Sequence, residues 1–215
     1  IMEKLDIQIA KPFGPTIAKV KIPEDMILKL NNYIDETIKD QEKSKSLDLG
    51  NTLAGQVTQE LILDNKFCES SGWLKFLGVC VENWIKLSGL PQITKFKLIN
   101  SWAVRQFKGD YNPTHWHNGH ISGVGYLKVP KDLGNKSQDG KKINPNGQLE
   151  LIHGTKQFLS QSTFMIEPKV GEFYFFPNYM MHTVYPFKET DEERRSVSFN
   201  AYVDDHIYNV YAEKV

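Results

Sequence analysis

Cysteine is scarce. The chain has two, Cys68 and Cys80, and neither belongs to a Cys-x-x-Cys pair. This argues against a disulfide framework. Apolar neighbours around both thiols point to buried, reduced cysteines and a cytoplasmic setting. No apolar run reaches the roughly 18 residues of a membrane span. No secretory leader is expected, and Ile1 ahead of Met2 reads as a cloning remnant. Charge of one sign is also missing: Lys plus Arg and Asp plus Glu are 26 each. Bulk charge therefore gives no reason to expect nucleic acid or an anionic membrane as partner, although a local patch stays open. Internal repeats and low-complexity linkers are absent. Aromatics are plentiful, with 12 Phe, 9 Tyr and 4 Trp. Spread among glycines and prolines, they favour a β-rich fold with many turns.

The 215 residues suffice for one domain with a real core. Residues 1–93 read as N-terminal strands with supporting helices, and residues 94–205 as the β core. Short strands are expected at Leu5–Ala10 and Thr16–Ile22. Pro23 then opens a helix, along which Ile27, Leu30, Ile34 and Ile38 recur at helical steps. Residues 41–60 are polar and give no clear pattern. A second helix is expected from Ser71 to Ser88, with Trp73, Leu77, Cys80, Val81, Trp84 and Ile85 on its apolar face. Alternation then takes over, from Phe96–Phe107 through Ile121–Val129, Gln148–His153, Thr163–Glu167, Glu172–Phe176 and Thr183–Pro186 to Ser196–Val203. Seven or eight short antiparallel strands fit a mainly β fold with flanking helices, built on a jelly-roll (double-stranded β-helix, cupin-like) core. Loop 130–147 is long and polar, and reads as a lid or a surface excursion.

Histidine is sparse too, and its placement carries the chemistry. His115 and His117 are two apart, so on a strand both imidazoles face one side while Trp116 faces the other. A third ligand must come from another strand. His182, after the aromatic run Phe173-Tyr174-Phe175-Phe176, is the best placed. Imidazole suits iron, zinc, copper or nickel. His120, His153 and His206 are not expected to be ligands, and His120 is the strongest of the three. An arginine on a nearby strand, Arg194 or Arg195, can pair bidentately with a carboxylate. The plainer reading makes both arginines part of a solvated cluster with Asp191, Glu192 and Glu193. Trp102, Phe107 and Trp116 are candidates to line the approach, or simply to pack.

These pieces together resemble the Fe(II)/2-oxoglutarate-dependent dioxygenases, in the prolyl-4-hydroxylase-like branch. Gly125-Tyr126-Leu127 is similar to that branch's strand after the first histidine, Gly147 to Leu151 to its next strand, and Ile166 to Val184 to the approach to the distal ligand. Ser122 to Leu127 with Ser196 to Asn200 also resembles a group of such oxygenases common in marine bacteria and their phages. The resemblance covers residues 96–203. It implies iron held by His115, His117 and His182. It implies Arg194 and the Tyr126 hydroxyl on the C5 carboxylate of 2-oxoglutarate. Arg194 is preferred to Arg195 because the family carries Ser or Thr four residues after its arginine, where Ser198 stands. One departure stands out. The family usually has Asp or Glu where this chain has His117. Either three imidazoles ligate, or a carboxylate such as Asp110 does, or activity is lost.

The resemblance implies oxidative decarboxylation of 2-oxoglutarate with O2, coupled to hydroxylation of a small-molecule or peptide substrate, such as a prolyl or other amino-acid side chain. A three-histidine cupin metalloenzyme and a non-catalytic jelly-roll binding module are the alternatives. The Glu that many cupins carry after His-x-His is missing between His117 and Lys131. A nucleic-acid demethylase is disfavoured by the balanced charge. The sequence leaves oligomeric state open.

Overall fold

A computed structural model describes residues 14–135 and 140–209. In chain order its elements are β1 (Ala18–Lys21), α1 (Glu24–Lys39), α2 (Gln41–Ser46), β2 (Gln59–Ile62), α3 (Asn65–Ser70), α4 (Trp73–Leu87), β3 (Phe96–Gln106), β4 (Asn112–His115), β5 (Ile121–Lys128), β6 (Leu149–Ile152), β7 (Thr163–Ile166), β8 (Glu172–Pro177), β9 (Met181–Val184), β10 (Arg194–Val203) and α5 (Asp205–Tyr208). The strands form two antiparallel sheets. The larger has the order β1-β8-β5-β10-β3-β2, and the smaller β4-β9-β6-β7. This is the expected jelly roll with helices on one side. The expected strand Leu5–Ala10 lies outside the described residues.

Side-chain alternation sorts the larger sheet into two faces. Phe173, Phe175, Val197, Phe199 and Ala103 turn outward and pack with Leu30 and Ile34 of α1 and Trp73, Leu77 and Val81 of α4. Burying each large side chain in this layer contributes about 1.5–3 kcal/mol. Tyr174, Phe176 and Tyr126 turn inward and meet Leu149, Leu151 and Ile166 of the smaller sheet. Gly123 and Gly125 take outward positions because the phenylalanine rings already fill the space there. A Cβ on Gly125 would collide with the Phe173 ring.

The N-terminal region departs from the expected pattern in several places. Pro23 precedes α1, with Glu24 and Asp25 in the first turn, where the helix dipole favours acidic groups. The buried face of α1 is Met26, Leu30, Ile34 and Thr37, so Ile27 and Ile38 only flank the core. The helix expected from Ser71 is preceded by the separate α3, because the Asp64 side chain caps a new start by accepting from the Phe67 N–H at 2.7 Å. Cys80 is only half-buried on α4. The patternless stretch 41–60 contains α2 and the start of β2. A loop between them is fastened to the turn after β3. Asp110 accepts from the Thr58 N–H at 2.8 Å and the Thr58 hydroxyl at 2.7 Å. The described part of loop 130–147 is tied to itself, with the Asn146 amide donating to the carbonyls of Leu133 and Asn135. None of its residues lines the central pocket.

Candidate metal centre

Strand pairing assembles the histidines. β4 runs antiparallel to β9 with His115 directly opposite His182. His117 lies just past the end of β4, so strand geometry does not hold it. Asn178 does: the His117 N–H donates to the Asn178 carbonyl at 3.0 Å, and the Asn178 amide donates back to the His117 carbonyl at 3.2 Å. The intervening Trp116 stands at the rim of the pocket and stays 63% exposed. The ligand atoms of His115, His117 and His182 all fall within 4.8 Å of one another, and the Nε2 atoms of His117 and His182 are 3.2 Å apart. Among the described residues this is the single such cluster.

The tautomers suit ligation. His115 Nδ1 lies 2.7 Å from the Pro113 carbonyl, and His182 Nδ1 lies 2.8 Å from the Met180 carbonyl. A carbonyl only accepts, so each Nδ1 carries the proton and each Nε2 keeps its lone pair. Burial, then the neighbouring imidazoles, push His117 down to about 3. Burial and His115 push His182 down to about 4, and burial also lowers His115. All three are neutral at pH 7, the form that binds a metal.

The cluster opens onto a cavity of about 310 Å³ between the sheets, lined also by Trp102, Val104, Gln106, Tyr126, Arg194 and Ser198. Arg194 is 1% exposed. One of its terminal nitrogens donates to Gln106 Oε1, while its Nε and other terminal nitrogen have no partner. Its guanidinium carbon lies 5.0 Å from the centre of the Tyr126 ring, and the Tyr126 hydroxyl is likewise buried without a partner. Burial raises the Tyr126 hydroxyl, with Arg194 opposing. These are donors awaiting an acceptor, and a carboxylate supplies one.

The other sequence candidates lie elsewhere. Arg195 turns to the helix side, with Nη2 2.7 Å from Asp35 and Nε 2.8 Å from Glu193. Both arginines are buried, which overturns the reading of a solvated cluster. Asp110 is occupied with Thr58 and the Phe107 N–H and stands outside the histidine cluster. Phe107 does not line the pocket, whereas Trp102 and Trp116 do. His120 stacks on Tyr208 at 4.0 Å, and neither it nor His153 nor His206 joins the cluster. The sequence pattern did not single out Asn178 or Gln106, nor Glu60, which also lines the pocket. Gln106 was accessible, since it shares the inward face of β3 with Trp102 and Val104. Asn178 acts through both its backbone carbonyl and its side-chain amide, and its place beside His117 comes from chain pairing that no residue pattern reports.

Residues 100–200 match the family model described as "Putative 2OG-Fe(II) oxygenase". This segment belongs to the 2OG-Fe(II) oxygenase family. It contains the three histidines, Tyr126 and Arg194. Iron and 2-oxoglutarate are the oxygenase's cofactor and co-substrate, and the histidine cluster fits the metal. No curated protein matches the chain in sequence. Among solved structures, a Pseudomonas putida prolyl-4-hydroxylase shares the fold at TM-score 0.56 and 15% identity, over 86% of this chain and 91% of its own. A collagen prolyl hydroxylase of Paramecium bursaria Chlorella virus-1, solved with 2-oxoglutarate, does so at 0.55 and 16%, over 86% and 94%. The non-heme alpha-ketoglutarate-dependent epimerase SnoN from nogalamycin biosynthesis does so at 0.55 and 13%, over 85% and 76%. No helix among the oxygenase's described residues is long and apolar enough to cross a membrane.

Proposed function

We propose that this oxygenase hydroxylates an amino-acid side chain, free or in a peptide. In this reading His115, His117 and His182 hold ferrous iron, and Arg194 with Tyr126 holds the distal carboxylate of 2-oxoglutarate. The observation that carries it is the pairing of two unfinished sites in one cavity. Three neutral imidazoles converge at one side, and a buried arginine with two unpartnered nitrogens stands at the other. A three-histidine cupin has no use for that arginine. The relatives named for prolyl hydroxylation support a side-chain substrate by fold analogy alone.

Iron with 2-oxoglutarate and O2 supplies the oxidising power, with decarboxylation to succinate leaving one oxygen atom for the substrate. The protein's own residues do the positioning. Arg194 makes the ion pair and Tyr126 donates its hydroxyl, while Gln106 holds the guanidinium in place. The Pro113 and Met180 carbonyls fix two imidazoles with Nε2 aimed inward. Trp102 and Phe176 keep the walls apolar and exclude water. Three imidazoles leave the metal one unit more positive than the usual two-histidine, one-carboxylate set, and a dianionic co-substrate offsets that charge.

Anaerobic titration of the Fe(II)-loaded protein with 2-oxoglutarate tests the reading. A saturable visible charge-transfer band is expected, and His182→Ala is expected to lose both stoichiometric iron and the band. Iron bound without a band would favour the cupin reading. No iron bound would favour a binding module.

A further inference from the structure

Glu60 is a carboxylate in an unusual place. It sits on β2, an edge strand, directly across from Val104 and on the face that looks into the cavity. It is 2% exposed, and its Oε2 has no hydrogen-bond partner. The loop before β2 passes close over it. A Cβ on Gly55 would lie 3.0 Å from Glu60 Oε1 and 2.8 Å from Asn112 Nδ2. The one charged group that acts on it is Asp48, also negative, so that burial first and Asp48 second push its carboxyl up to about 7. No ion pair among the described residues involves it. An unpaired buried carboxylate is costly, and folding alone gives no reason for one to face a cavity.

Two charges therefore divide the pocket. Arg194 and Glu60 share one sheet face, with β3 between their strands. Two strand spacings and a two-residue offset along β3 put their backbones roughly 12 Å apart. An anion belongs at Arg194 and is repelled from Glu60. Trp116, exposed at the rim, adds an aromatic face of the kind that attracts a cation.

We infer that Glu60 is the substrate-specificity residue of this pocket, and that it receives a protonated nitrogen, an ammonium or guanidinium carried by the substrate. The inference rests on the iron and 2-oxoglutarate reading for the neighbouring site. It narrows the substrate to a side chain with a cationic head, held by charge at Glu60 and against Trp116.

The test is calorimetric, on protein loaded anaerobically with Fe(II) and 2-oxoglutarate. The probes are the N-acetyl amides of lysine and arginine, each against its neutral counterpart, norleucine or citrulline. At least one cation is expected to bind tenfold or more tighter than its counterpart, and Glu60→Gln is expected to erase that preference. Glu60→Leu is the second variant. Both substitutions remove an unpaired buried charge, so melting temperatures equal to or above the parent's are expected, and these separate lost recognition from lost folding. Equal binding of cation and neutral partner would overturn the inference, as would a preference retained in Glu60→Gln. So would failure of both cations to bind at millimolar concentration. Failure of the parent protein to take up 2-oxoglutarate is read before any probe is added, and would overturn the iron and 2-oxoglutarate reading instead.

Discussion

Arg194 and Arg195 are neighbours in the chain and opposites in the fold. A strand's side chains alternate, so one of two adjacent arginines must face the pocket and the other the helices. The helix-facing Arg195 is saturated by Asp35, Glu193 and the Asn31 side chain, and Glu193 also binds Arg105 at 2.9 Å. The pocket-facing Arg194 keeps two free nitrogens. The two substitutions should therefore separate cleanly. Arg195→Ala is expected to cost about 2 kcal/mol in chemical denaturation, because it removes a buried side chain and its hydrogen bonds to Glu193, Asp35 and Asn31. Arg194→Leu is expected to leave stability near the parent's and to weaken 2-oxoglutarate binding at least about tenfold, since charged hydrogen bonds are worth about 1.5–3 kcal/mol each. The reverse pattern would mean that the roles are exchanged. Choosing Arg194 from sequence rested on Ser198 four residues later. What sequence left undecided was which face looked inward, because that depends on where the helices dock.

At the scale of elements, the end of β10 is stapled to the start of β3. Asp204 accepts from the Thr94 N–H at 2.8 Å, the Thr94 hydroxyl at 2.5 Å and the Lys95 N–H at 2.9 Å. Burial pushes the Asp204 carboxyl up, but these hydrogen bonds outweigh it and hold it at about 2, below the ordinary 3.8. A depressed carboxyl stabilises the fold fully above its unfolded value and progressively less as pH falls towards the folded one. Asp204→Asn should therefore lower stability at pH 7 and much less at pH 2. Denaturation of both proteins at the two pH values checks this, and an equal difference at both would remove the carboxylate from the account. Of the strands β3 to β10, all but the short β4 were readable to within a few residues, because alternation and turn residues mark them locally. The stretch 41–60 was not. Its order comes from partners far along the chain, such as Asp110 for Thr58, and from pairing of β2 with β3.

For the whole molecule, the buried histidines and the buried arginine make a pocket assembled at a cost. Three desolvated imidazoles and an unsatisfied guanidinium are tolerated because the layers around them, α1 and α4 on one side and the smaller sheet on the other, are well packed. Ligands that complete these groups should stabilise the fold as a unit. Fe(II) and 2-oxoglutarate, each at about a hundred times its Kd, are expected to add about 2.7 kcal/mol apiece. Anaerobic thermal melts with each alone and with both check this. A melting temperature indifferent to both would count against a shared site in this cavity.

The sequence by itself determined the jelly-roll class, the order of its core strands and the three histidines worth watching, because strand periodicity and residue chemistry are local properties. Only the tertiary structure decided that His117 reaches the cluster from beyond its strand, that Arg194 rather than Arg195 enters the cavity, and that Glu60 faces the same space. Each depends on which distant backbone or packing layer lies alongside, and the chain acquires that information only when the two sheets close on each other.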